Sequence, residues 1–211
     1  MSSSAPWLTL FFLGAYHGIN PGMGWLFAVA LGMQENSARA VVRSLAPIAL
    51  GHAISIGVVV LAAGLLQIVL PRQYIKFTVA AALLALGLYK IVRHRHFRWS
   101  GMRVGFRDLT LWSFLMASAH GAGLMLLPIV LALNPEATHA MHHMQVTSFQ
   151  GPLTGIEATV IHTLGYLTLT AVLALVVYRK VGLALLRKSW FNLDLIWAIA
   201  LIATGCFALT V

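Results

Sequence analysis

The chain has 211 residues, of which 60% are hydrophobic and only 9% charged, with 14 Lys and Arg against 5 Asp and Glu. Its mean hydropathy is +0.87. A soluble domain carries about 25% charged residues and cannot hide this much apolar surface, so a soluble enzyme, a disordered chain and a basic nucleic-acid-binding domain are excluded. At roughly 20–25 residues per crossing, the length suits about six membrane spans with short connections, leaving no room for a separate soluble domain. A single cysteine, Cys206, excludes an internal disulfide and a cysteine-based metal cluster.

In chain order, six apolar runs read as spans: about 7–33, 44–70, 74–92, 109–133, 154–178 and 190–210. The opening MSSSAPWLTLFFLGAYHG has no positive n-region, so it reads as the first span rather than a removed signal peptide. The breaks between runs differ sharply in charge. The first carries Arg39 and Arg43, and the second Arg72 and Lys76. The third carries Lys90, Arg93, Arg95, Arg98, Arg103 and Arg107, the fourth no basic residue, and the fifth Arg179, Lys180, Arg187 and Lys188. Placing breaks one, three and five inside puts 12 of the 14 basic residues in the cytoplasm. The positive-inside rule then sets both termini outside, in a bacterial-type inner (plasma) membrane.

Comparison of the chain with itself suggests two halves, about 7–92 and 109–210, joined by a basic cytoplasmic linker at about 93–108. GAYHGINPGM (14–23) and ASAHGAGLML (117–126) place His-Gly at the same point of a span. LGHAISIGVVVL (50–61) and IHTLGYLTLTAVL (161–173) match around one histidine, and LLALG (83–87) matches LIATG (201–205). Three spans therefore match the next three. Because three is odd, the halves must be inverted in the membrane, an arrangement that places a transport site between them at mid-depth. The expected fold is all-α, integral to the membrane, with six helices in two inverted three-helix repeats.

The match pairs His17 with His120 and His52 with His162. At about 1.5 Å per residue, His17 lies roughly 15 Å from the outer end of its span and His162 roughly 12 Å from the outer end of its own. Counted from the inner ends, His52 lies roughly 12 Å deep and His120 roughly 16 Å. In a core about 30 Å thick, all four fall near the midplane. An ionisable group at that depth is costly without a partner and points to function. Several neutral imidazoles suit Ni, Co, Zn, Fe or Cu, so the four histidines are candidate ligands of a divalent transition metal. The alternative is that each donates a hydrogen bond to a neighbouring helix backbone.

Other residues bear on such a site. Pro21 removes a backbone donor and frees a carbonyl in the preceding turn, so the first span is expected to break after His17, with Asn20 one turn away on the same cavity. Glu157, five residues before His162, is a candidate entry carboxylate or an interfacial residue. Met23, Met116 and Met125 read as packing residues that could alternatively offer thioethers to Cu(I). His139, His142 and His143 form HAMHHM in the outer connection, a composition that binds metals. His94 and His96 lie among arginines at the cytoplasmic headgroup level. Asp108 and Asp194 are expected to pair with local basic residues. Gly14-x3-Gly18-x3-Gly22 allows close helix approach, within the chain or across a homodimer.

Pro21-Gly22, Arg39-Ala40, Gly51-His52 and Leu86-Gly87-Leu88-Tyr89-Lys90 give residues about 14–93 a pattern that resembles the N-terminal half of the LysE transporter superfamily. The resemblance implies a six-span secondary transporter, in a superfamily with amino-acid exporters and metal exporters. A histidine in the first span and a histidine-rich loop are similar to its nickel/cobalt branch. The chain departs from that branch where His-x4-Asp is expected, since Gly22 stands five residues after His17. Three functions remain open: export of a divalent transition-metal cation, export of an amino acid or other small solute, and a membrane redox protein with histidine-ligated haem. A structural subunit is the bland fourth. The partners expected are the lipid bilayer and the metal ion or solute, with no nucleic acid.

Overall fold

The computed structural model describes residues 4–92, 105–133, 150–181 and 193–210. Those residues contain eight α-helices and no strand. The helices are α1 (Ala5–Ile19), α2 (Trp25–Gln34), α3 (Ala38–Val69), α4 (Arg72–Val92), α5 (Phe106–Ala119), α6 (Ala122–Leu133), α7 (Gln150–Val176) and α8 (Leu193–Thr210). A 3-10 turn, Pro21–Met23, separates α1 from α2, and a π turn, Val177–Val181, extends α7.

The first and fourth apolar runs are broken helices, each for a local reason. Asn20 is extended (ψ 119°), as the residue before a proline is driven to be, and Pro21 has no N–H to continue the ladder. The Asn20 side chain caps the turn that follows by accepting from Gly22 N–H at 3.0 Å. Gly24 then takes φ +137°, which an L side chain rarely adopts, and α2 begins. The second break, between α5 and α6, bends the chain by 62°. It forms at Gly121, in the left-handed region at φ +69°, immediately after His120. Proline signals the first break in the sequence, whereas the second rests on a glycine among many.

Three segments, Ala38–Gln67, Gln73–Val92 and Leu153–Lys180, are long and apolar enough to cross a bilayer, and the bent α5–α6 pair makes a fourth if it is one span. α2 and most of α8 are shorter apolar helices. Large apolar side chains such as Phe12, Leu61 and Ile156 face outwards, as lipid contact requires, and the chain is consistent with a multi-pass membrane protein. The buried polar side chains among the described residues are neutral groups: His17, Asn20, Ser44, His52, Ser55, Ser113, His120, His162 and Thr170.

The helices pack chiefly in pairs, α1 on α7, α3 on α5 and α4 on α8, with α3 also crossing α7. Small residues set these distances. A Cβ on Gly14 would run into the His162 carbonyl, one on Gly165 into the Phe11 carbonyl and one on Gly51 into the Thr110 carbonyl. The backbones of α1 and α7 therefore touch at the level of two candidate histidines, as small residues in membrane helices permit.

Candidate polar site in the helix core

His17, His52 and His162, from α1, α3 and α7, are fully buried and meet. Their ring centres lie 4.9 Å apart for His17–His162, 5.5 Å for His52–His162 and 5.8 Å for His17–His52. His17 Nδ1 lies 2.7 Å from the Leu13 carbonyl. That oxygen only accepts, so Nδ1 carries the proton and Nε2 is left as a lone pair. Nε2 has no hydrogen-bond partner, and neither do the two ring nitrogens of His52 or of His162. The Leu10 carbonyl lies near the His162 ring but outside hydrogen-bonding geometry. Each unpaired buried group costs about 1–3 kcal/mol, so five unpaired nitrogens in one place are an expensive arrangement for packing alone.

Two aromatic side chains complete the surroundings. Tyr166, one turn after His162, stacks on His52 with ring centres 3.8 Å apart and planes 9° apart. Its hydroxyl donates to the Met23 carbonyl at the first helix break. Trp197 of α8 packs its ring edge-on against both His17 (4.6 Å) and His120 (5.1 Å), and Tyr16 stacks on it. Sequence reading missed both residues. Tyr166 had a signal, its spacing of four from His162; Trp197 had none linking it to the histidines.

His120 is buried and, like His17, packs edge-on against Trp197, but among the described residues it has no ring contact with His52 or His162. Its Nδ1 donates to the Met116 carbonyl at 2.7 Å. Nε2 accordingly accepts from Asn20 Nδ2 at 3.3 Å, and the Asn20 amide is oriented by Gly22 N–H on its oxygen. Asn20 thus faces His120 rather than His17. The expected single group of four becomes a cluster of three and a hydrogen-bonded pair that joins the two helix breaks.

The carbonyls at the breaks, expected to be available to an ion, already accept hydrogen bonds. Ile19 accepts from Trp25 Nε1, Gly22 from Trp112 Nε1, Met23 from Tyr166 and His120 from Trp197 Nε1. The remaining candidates are placed as follows. Glu157 is exposed, and five residues turn a helix about 140° past a full circle, so it points away from His162. Met23 and Met125 are core packing residues, and Met116 packs against Gly22. The Asp108 carboxylate accepts from Gly105 N–H and so caps α5; the nearby Arg93, Arg95, Arg98 and Arg103 lie outside the described residues. Arg43 pairs with Glu35 at 2.7 Å, on the exposed surface. His94, His96, His139, His142 and His143 lie outside the described residues, as does the side chain of Asp194.

The chemistry available is that of imidazole donors and lone pairs in an apolar, water-excluding core. Three imidazoles binding one ion at about 2.0–2.1 Å place their ring centres roughly 5 Å apart, close to the spacing here. As the rings stand, however, no group of three His, Cys, Asp or Glu among the described residues is set to hold a metal ion. The reason is their orientation. An ion lies close to the plane of each imidazole that binds it, and His52 and His162 stack in planes only 3° from parallel. One of them must turn about its terminal torsion, which is soft. Haem fits less well, because axial histidines stand on opposite faces of a macrocycle and these three rings pack directly on one another and on Tyr166 and Trp197.

Comparisons with protein-family models, curated proteins and solved structures give no match to this chain.

Proposed function

We propose that the chain is a six-span secondary transporter of the LysE type, built from two inverted repeats with both termini outside, whose substrate is a divalent transition-metal cation. The observation that carries this reading is the cluster of His17, His52 and His162 at the meeting of three helices, with five ring nitrogens unpartnered in an apolar core. A cation accepting one lone pair from each imidazole removes the part of that cost due to the three lone pairs, and His17 Nε2 is one of them. His120 and Asn20 then serve as the joint between the two broken helices rather than as ligands.

The packing pattern supports the inverted repeat. The first span of each proposed half packs on the second span of the other, α1 on α7 and α5 on α3, while the third spans α4 and α8 pair with each other. Each first span also breaks within a turn of its histidine, at Asn20 and at Gly121. Export is the direction the resemblance implies.

The near-parallel rings favour a second reading, in which imidazole N–H groups bind an amino acid or other small solute. Metal content separates the two. Protein purified without chelator and loaded with Zn²⁺ or Ni²⁺ is expected to hold one ion per chain by mass spectrometry. The His52→Ala/His162→Ala variant should lose it, whereas His120→Ala should retain it. Vesicles containing the protein should move the bound ion. A metal-free protein after loading would sink the cation reading and leave solute efflux to be measured.

A further inference from the structure

We infer that Tyr166 couples occupancy of the imidazole cluster to the helix break at residues 20–24. The inference rests on the cation reading above and adds to it the residue that transmits binding to the moving part. Tyr166 touches both ends of this path. Its ring lies on the face of His52, 3.8 Å away, and its hydroxyl holds the Met23 carbonyl, beside Gly24. His52 also lies 5.5 Å from His162, with the two rings near parallel.

An ion held by this cluster cannot use His52 and His162 in their stacked planes. Seating it turns one of these rings, and in this scheme the one that turns is His52, on whose face Tyr166 stacks. When His52 turns, the Tyr166 ring shifts with it and its hydroxyl leaves the Met23 carbonyl. Met23 belongs to the 3-10 turn between α1 and α2, and Gly24, at φ +137°, is the residue from which α2 starts. Without the Tyr166 hydroxyl, the turn keeps the Asn20 cap, the Trp25 bond to Ile19 and the Trp112 bond to Gly22. It loses the one bond among these that starts from a residue packed on the cluster. Tyr166 is a positioning residue in this scheme, since it acts through His52.

The test is amide hydrogen exchange of the purified full chain with and without Zn²⁺, beside the measured zinc content. In the native chain, peptides spanning residues 20–28 should exchange several-fold faster with zinc bound, while peptides within α4 should not change. Tyr166→Phe keeps the ring on His52 and removes only the hydroxyl. It should hold zinc at least as tightly as the native chain, since binding no longer breaks that bond, and exchange rapidly at 20–28 whether or not zinc is present. A variant that retains the native zinc-dependent difference overturns the coupling alone, as does a native chain that binds zinc with no change at 20–28. A native chain that binds no zinc overturns the cation reading and the coupling with it. The native comparison stands by itself if Tyr166→Phe does not fold.

Discussion

Histidines in an apolar core differ by what satisfies their nitrogens, and His120 and His52 mark the two extremes. His120 has a partner on each nitrogen, so it is stable as a neutral group without any ligand. His52 has none, and its ring is held only by stacking. Opposite outcomes follow. Asn20→Ala leaves His120 Nε2 without its donor and Gly22 N–H without its cap, which should cost about 1–3 kcal/mol and lower the thermal midpoint in detergent by several degrees. Metal content should be unchanged. His52→Phe fills the same space without unpaired nitrogens, so it should raise the midpoint or leave it level while abolishing metal binding. A His52→Phe chain that still binds stoichiometric metal would place the ligands elsewhere. The histidines themselves were legible in the sequence, because an ionisable side chain mid-span is conspicuous. Their division into three and one was not, since it depends on Asn20 reaching His120 across 100 residues of chain.

At the scale of elements, close backbone contact and helix breaks govern the arrangement. Gly14 and Gly57 provide a controlled comparison, because both lie within helices but only one is in contact. A Cβ at Gly14 meets the His162 carbonyl, whereas nothing lies within 4 Å of a Cβ at Gly57. Gly14→Ala should push α1 from α7, destabilise the fold by about 1–3 kcal/mol and reduce metal retention, because His17 and His162 ride on those two helices. Gly57→Ala should be neutral or stabilising by up to about 1 kcal/mol, since alanine loses less backbone entropy in a helix. Denaturation of the two variants side by side measures the difference. The apolar runs forecast where helices lie, because burial in lipid demands long uninterrupted hydrophobic segments. They did not forecast the break at Gly121, since nothing local distinguishes that glycine from the glycines that sit inside straight helices, such as Gly57 and Gly64. Nor could spacing show that aromatic N–H and O–H groups from α2, α5, α7 and α8 cover the carbonyls that the breaks release.

For the whole molecule, the distribution of positive charge makes a prediction independent of any site. With both termini outside, a C-terminal reporter active only in the cytoplasm should be silent, and one active only outside should work. The opposite result would invert the proposed topology and reverse the side from which each histidine is reached. Composition and apolar patterning by themselves pointed to a helical chain consistent with a multi-pass membrane protein and to the residues worth suspecting. These are sums over side chains or patterns within one helix, and they need no knowledge of neighbours. The tertiary structure alone decided which histidines share a site, that Asn20 answers to His120, and that Tyr166 and Trp197 enclose the cluster. Those outcomes depend on which helix faces meet, and in a chain this apolar throughout, almost every face is hydrophobic enough to be buried. Glycine contacts and hydrogen bonds between distant segments choose among the faces, and they exist only once the helices have packed.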